Sequence, residues 1–179
     1  MIKIELIKEE DLINIVEWNK NTSQDFLIQW SGNLYSYPLN INQLKYYYLK
    51  KAKENFNIFI YKIIKEDKMI GTIELKIADE GRTIGRICRV LIGDERYRGQ
   101  GIGTEAVLEI LKIGFEKFKL NKITLGVFDF NTNAIKCYEK VGFKKYKYIE
   151  NEYKVSSGTW SSYEMCISRE DFLNKVIIG

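Results

Sequence analysis

The sequence contains no histidine and a single proline among its 179 residues. Without imidazole there is no Ser-His or Cys-His nucleophile pair, and the commonest transition-metal ligand is missing. No metal is therefore expected, and proton transfer falls to Tyr, Glu, Asp, Lys, Cys, backbone groups or water. Cysteine is also scarce. Cys88, Cys137 and Cys166 are odd in number, widely spaced and free of any CxxC pair, so neither a disulfide framework nor a structural zinc site is expected. No apolar run approaches the roughly eighteen residues a membrane-spanning helix needs. The opening MIKIELIKEED alternates and then turns acidic, unlike the apolar core and cleavage site of a secretion signal. The cytoplasm is the expected location, with no membrane partner. A dominant charge sign is lacking too: 28 Lys and Arg against 24 Asp and Glu leave +4. The lysines are scattered, so the balance favours an anionic ligand mildly and excludes nucleic acid as an expected partner.

What is present is the material of one ordinary domain, residues 1–179, with 45% hydrophobic and 29% charged residues. The pattern predicts a strand over 2–8 and a helix over Glu9–Lys20, with Leu12, Ile15 and Val16 at helical spacing. Residues 21–40 read as a loop with short helical turns, and Asn40 is placed to cap a helix reaching Lys53. Strands are predicted at 56–64 and 69–78 around the turn KEDK, then at 84–93 and 122–128. Helices are predicted near 104–118 and 132–140. After Gly142 come strands near 143–149 and 159–168 and a short terminal helix. Antiparallel strands followed by strand–loop–helix–strand–helix make a mixed α/β domain, partly antiparallel and partly parallel.

The chemistry concentrates where the apolar strand ICRVLI runs through Arg98, Gly99, Gln100, Gly101, Ile102, Gly103 and Thr104 into a helix. The first turn of a helix carries amides without internal partners and the positive end of the dipole, and glycines let the backbone approach a ligand closely. Together they suit a phosphate or pyrophosphate. Arg96 and Arg98 add positive charge. A Walker loop is excluded by the absence of GK[ST], and the Rossmann fingerprint by glycines spaced G-x-G-x-G without a preceding βαβ frame.

Arg98-x-x-Gly101-x-Gly103 resembles the pyrophosphate signature [RQ]-x-x-G-x-[GA] of the GNAT superfamily of N-acetyltransferases, and IGDERYRGQGIGTEA is similar to its RimJ/RimL-like branch. The following LGVFDFNTNAIKCYEKVGF resembles a second family motif, N-x-x-A-[IS]-x-x-Y-x-K-x-G-F. The resemblance spans about residues 70–168. It implies a GNAT-type fold: a mixed, mostly antiparallel central sheet, splayed at two parallel strands and flanked by helices. It also implies acetyl-CoA as co-substrate, an amine as acceptor and, as in many relatives, a homodimer.

Residue by residue, the resemblance lays the pantetheine arm along the backbone of Val90, Leu91 and Ile92, in a strand whose sequence suggests a bulge. It sets the diphosphate on Arg98 to Thr104 and a further contact on Asn131, which equally suits a helix cap. Tyr138 falls at the position of a general acid for the departing CoA thiolate, on a helix with the inward stripe Ala134, Cys137, Tyr138 and Val141. Several relatives carry a carboxylate near Gly126, and this chain does not, so the base stays open, with Glu74 and Glu164 as candidates. Trp30, Tyr37 and Glu74 are the candidate acceptor contacts within an aromatic-rich set that includes Tyr35, Tyr46, Tyr47, Tyr48 and Trp160. The implied reaction is direct acetyl transfer to a primary amine, on a small molecule or a protein N-terminus, through a ternary complex. The readings to separate from it are transfer of a longer acyl group and an acyl-CoA sensor with little or no turnover.

Overall fold

The structure is a computed structural model that describes residues 1–54 and 56–178. The chain folds as two compact units, Met1–Lys76 with Cys88–Ile102, and Ile77–Ile87 with Gly103–Gly179.

In the first unit β1 (Lys3–Leu6) pairs antiparallel with β2 (Ile58–Lys65), which pairs antiparallel with β3 (Lys68–Ile77). The β2–β3 turn places Glu66 and Asp67 at φ of 52° and 58°. Two consecutive left-handed residues match the twist of a two-residue hairpin. β4 (Ile84–Ile92) ends beside the start of β3, where the Gly93 amide donates to the Ile70 carbonyl at 2.9 Å. A 3-10 turn over Glu9–Asp11 leads into α1 (Leu12–Asn19), followed by α2 (Gln24–Ser31) and α3 (Ile41–Tyr46). As expected, Asn40 caps α3, its side-chain oxygen accepting from the amides of Asn42 and Gln43. The helical path then widens into π turns over Tyr47–Lys53. α2 is more regular than the loop expected for this stretch. Ser23 caps it through the Phe26 amide, and Leu27, Ile28 and Ser31 form its buried face; two turns are too short for that face to register as a period in the sequence. Leu12, Leu27, Leu44 and Leu91 are at most 4% exposed and anchor the core of this unit. Each such burial is worth roughly 1.5–3 kcal/mol.

In the second unit the first residues of β4 run parallel to β5 (Lys122–Phe128), in register from Ile84↔Lys122 to Arg86↔Thr124. β5 pairs antiparallel with β7 (Gly158–Ser168), and β7 with β6 (Lys144–Val155). The β6–β7 hairpin is longer than the sequence pattern indicates. β6 is exposed along most of its length and shifts register twice, so its apolar residues never alternate cleanly. α4 (Ile102–Lys112) buries Ala106, Val107, Ile110 and Leu111 and runs on as π turns over Ile113–Lys117. α5 (Thr132–Val141) ends at Gly142, whose φ of 109° supplies the left-handed cap. α6 (Arg169–Ile178) packs Phe172 against Phe115, with ring centroids 5.2 Å apart. The buried face of α5 is Ile135, Tyr138 and Val141, while Ala134 and Cys137 are half-buried. The expected stripe is thus rotated by one residue at its start. The result is the mixed α/β architecture expected: β4–β5 parallel, the β1–β2, β2–β3, β5–β7 and β6–β7 ladders antiparallel, and helices alongside.

Candidate active site

The segment after β4 is built around backbone geometry. Asp94 caps a 3-10 turn over Glu95–Tyr97, accepting from the Arg96 amide at 3.1 Å. Gly99 and Gly101 then adopt φ of 73° and 78°, and a Cβ on either would meet nothing within 4 Å. Glycine is therefore required here by the left-handed backbone and not by crowding. The side chains of the loop face inward onto the loop itself. Gln100 donates to the Arg96 carbonyl at 2.6 Å. Arg98 donates to the carbonyls of Ile92 and Gly93 and to Glu95, with its guanidinium 5.5 Å from the Phe26 ring centre. Arg96 is bound by Asp94. The two arginines are thus partnered by carboxylates and carbonyls, and what the loop offers an anion is chiefly its amides and the start of α4.

Upstream, β4 kinks at Arg89, whose φ is 49°. A non-glycine residue in that region costs on the order of 1–3 kcal/mol and persists where its surroundings hold it. This is the irregularity expected of a bulge, and it immediately precedes Val90, Leu91 and Ile92.

In the second unit Asn131 is a helix cap, its side-chain oxygen accepting from the Ala134 amide at 3.2 Å. Tyr138 is 7% exposed and packs edge-on to Phe143 at 6.0 Å. Burial, with a smaller contribution from Cys137, pushes its phenol well above the ordinary tyrosine range. Among the described residues its hydroxyl has no hydrogen-bond partner, and no fully buried side-chain N or O atom is left unsatisfied. The phenol therefore retains its proton near neutral pH. The Cys137 thiol is likewise pushed up by burial, against a hydrogen bond from the Thr104 hydroxyl. A buried thiol of raised pKa is a poor nucleophile. At Gly126 a Cβ would lie 2.9 Å from Arg86 Nη2 and 3.1 Å from Glu164 Oε1. The gap read in the strand is covered by that ion pair, a fork of 2.6 and 2.7 Å that Tyr146 joins at 3.3 Å.

The aromatic residues of the first unit gather around a small cavity of about 20 Å³, partly open to solvent, lined by Trp30, Tyr35, Tyr47 and Tyr48 with Glu74 and Arg89. Trp30 and Glu74 are thus brought together. Tyr37 is not among the lining residues. It is exposed, and its hydroxyl donates to the Thr22 carbonyl at 2.9 Å. Tyr46 is also exposed, whereas Tyr47 is 5% exposed, as a helical run of three tyrosines requires. Trp160 belongs elsewhere, in a cluster of the second unit with Phe128 and Phe130. Sequence reasoning did not single out the pairing of Arg89 with Glu74. Its signal was an arginine inside the apolar run ICRVLI and a glutamate inside TIEL of the preceding strand. Among the described residues no group of three or more Cys, Asp and Glu could hold a metal ion, and no helix is long and apolar enough to cross a membrane.

Comparison with known proteins agrees with this arrangement. Residues 17–143 match the acetyltransferase (GNAT) family. The probable N-acetyltransferase YjcK of Bacillus subtilis (strain 168) is 25% identical over 165 residues, 90% of this chain and 88% of that protein. The aminoglycoside N(6')-acetyltransferase type 1 of Klebsiella pneumoniae is 24% identical over 153 residues, 80% and 74% of the two chains. In fold, the chain is similar to the crystal structure of spermidine N-acetyltransferase from Vibrio cholerae in complex with CoA and spermine. The TM-score is 0.83 at 20% identity, covering 97% of this chain and 98% of that one. With a family match over well more than half its length, the chain belongs to the GNAT acetyltransferase family and is an acyl-CoA-dependent N-acetyltransferase that uses acetyl-CoA as co-substrate.

Proposed function

We propose that the enzyme transfers acetyl directly from acetyl-CoA to a primary amine, on a small molecule or a protein N-terminus, within a ternary complex. The observation that carries this reading is the pair of left-handed glycines, Gly99 and Gly101, leading into the first turn of α4. In this reading the amides from Arg98 to Thr104 bind the coenzyme diphosphate, and the backbone of Val90, Leu91 and Ile92 pairs with the pantetheine arm. Asn131 adds a contact beside its capping role. Residues 1–179 act as one catalytic domain.

The amine must be neutral to attack, and alkylamines are mostly protonated near neutral pH. Its nitrogen bonds to the thioester carbonyl carbon, the nitrogen gives up a proton, and the C–S bond then breaks. Tyr138 donates its phenolic proton to the departing sulfur and recovers one from solvent. Water takes the amine proton in this scheme. Both oxygens of Glu74 accept from Arg89 and Tyr47, and those of Glu164 accept from Arg86 and Tyr146, so neither carboxylate is poised as a base. Trp30 and Tyr37 contribute aromatic surfaces for the acceptor, and Glu74 acts on the surface around Trp30 through its partners. A homodimer, a cytoplasmic location and RimJ/RimL-like affinity, read from residues 92–106, complete the proposal. The acceptors named for relatives, a polyamine and an aminoglycoside, define the first panel to try.

The test combines calorimetry with CoA and a CoA-thiol release assay across polyamines, aminoglycosides, simple monoamines and N-terminal peptides. Binding with release for at least one class is the expected result. Absence of CoA binding by folded protein overturns the assignment of the loop, and binding without release across the panel overturns the catalytic reading in favour of a sensor.

A further inference from the structure

Arg89 occupies the point at which β4 leaves extended geometry, and its side chain is held from three directions. Its Nε donates to Glu74 Oε2 at 2.9 Å and its Nη2 to Glu74 Oε1 at 2.5 Å. Nη2 also donates to the Tyr47 hydroxyl at 2.6 Å, and the guanidinium carbon lies 5.0 Å from the centre of the Tyr47 ring. The Tyr47 hydroxyl donates in turn to Glu74, 3.0 and 3.1 Å from its two oxygens. Tyr35 stands edge-on to Tyr47 at 6.0 Å. Glu74 is 1% exposed, and both its oxygens are engaged by Arg89 and Tyr47. Burial alone would weaken the hold of Arg89 on its proton, but the hydrogen bonds and charge of Glu74 outweigh it.

A left-handed φ at an arginine within a strand carries a conformational cost of about 1–3 kcal/mol that its surroundings must offset. A buried, fork-shaped ion pair whose oxygens are all engaged is such a compensation, because moving the Arg89 backbone would break three short contacts at once. The backbone groups fixed by that kink are those of the next three residues, Val90, Leu91 and Ile92.

We propose that Arg89, clamped by Glu74 and Tyr47, is the positioning residue of the coenzyme strand: the cluster sets the kink of β4 and thereby aims the backbone of Val90 to Ile92 at the thioester arm. The inference rests on the proposed path of the coenzyme along that strand. It gives Glu74 a task other than proton abstraction, and it gives the aromatic cavity a floor that is part of the coenzyme site. A displacement of about 1 Å in such a positioning element can lower the rate roughly a hundredfold.

The test pairs Glu74→Gln with Arg89→Gln, which removes both charges together and leaves no buried ion uncompensated. Tyr47→Phe serves as the mild second variant, should the pair fail to fold. The measurements are thermal denaturation, the CoA dissociation constant, and separate KM values for acetyl-CoA and acceptor. The expected result is a cooperative thermal transition, a CoA dissociation constant and acetyl-CoA KM raised about tenfold, a clearly lower kcat, and an acceptor KM that rises less than the acetyl-CoA KM. Tyr47→Phe shifts the same quantities less. Adding Arg89→Gly to Glu74→Gln in place of Arg89→Gln should recover part of the acetyl-CoA KM, since glycine reaches this φ unaided. Two results overturn the proposal. One is an acceptor KM that rises while the CoA constant stays put, which makes the cluster an acceptor subsite. The other is unchanged kinetics in a folded but less stable variant, which makes it structural only. A wild-type protein that fails to bind CoA refutes the coenzyme reading itself, and that control is read first.

Discussion

Tyr138 serves packing and, in the proposed reading, chemistry as well. Its ring is core material against Phe143, while its hydroxyl engages no described residue. Tyr138→Phe should therefore keep the fold and the CoA affinity while turnover falls at least about tenfold, the low end of what general-acid catalysis supplies. Steady-state kinetics beside calorimetry checks this, and an unchanged rate removes the assignment. Four phenols, Tyr35, Tyr47, Tyr61 and Tyr138, are pushed up mainly by burial, that of Tyr61 to about 12. A phenol whose folded value exceeds its unfolded value of about 10 leaves stability unaffected below that pH. Above it the unfolded chain sheds the proton first, so stability falls as pH rises. Denaturant titrations followed by phenolate absorbance should show the midpoint dropping from about pH 10 upward. A midpoint independent of pH in that range would contradict the burial of these rings.

At the scale of elements, the loop after β4 separates glycines by their job. Gly99 and Gly101 have left-handed φ and open space where a Cβ would stand, so alanine there meets conformational strain of roughly 1–2 kcal/mol and no clash. Gly101→Ala should weaken CoA binding about tenfold by moving the amides, a change of about 1.4 kcal/mol. Gly103 lies within α4, and a Cβ would meet only Cys137 Sγ at an ordinary 3.8 Å. Gly103→Ala should keep CoA affinity and raise stability, since alanine exceeds glycine in helices by about 1 kcal/mol. Calorimetry and thermal denaturation of the two variants side by side decide the matter, and equal behaviour would mean that backbone conformation does not govern the site. The same loop was legible in the sequence because its left-handed φ angles favour glycine, and glycine is visible in a sequence. The long β6–β7 hairpin was underestimated for the opposite reason. The residues of β6 are held by backbone pairing to β7, which leaves no apolar alternation to read.

For the whole molecule, ligand binding is linked to stability. CoA at about a hundred times its dissociation constant should stabilise the folded chain by ~2.7 kcal/mol and raise the melting temperature by several degrees. A melting temperature unmoved by saturating CoA would remove the coenzyme site. The order of elements, the absence of histidine chemistry, the glycine-rich loop ahead of α4 and the place of Tyr138 on α5 all follow from the sequence, because each rests on local periodicity, composition or backbone propensity within a short stretch. The folded chain alone decided the rest. It brought Glu74 and Tyr47 to Arg89, from a neighbouring strand and a helical segment far away in sequence. It covered Gly126 with Arg86 and Glu164, and it left Tyr37 out of the cavity that holds Trp30. These are contacts between residues 15 or more positions apart, and no local pattern encodes which buried charge will meet which, because pairing is settled only when sheet register and helix packing bring the partners together.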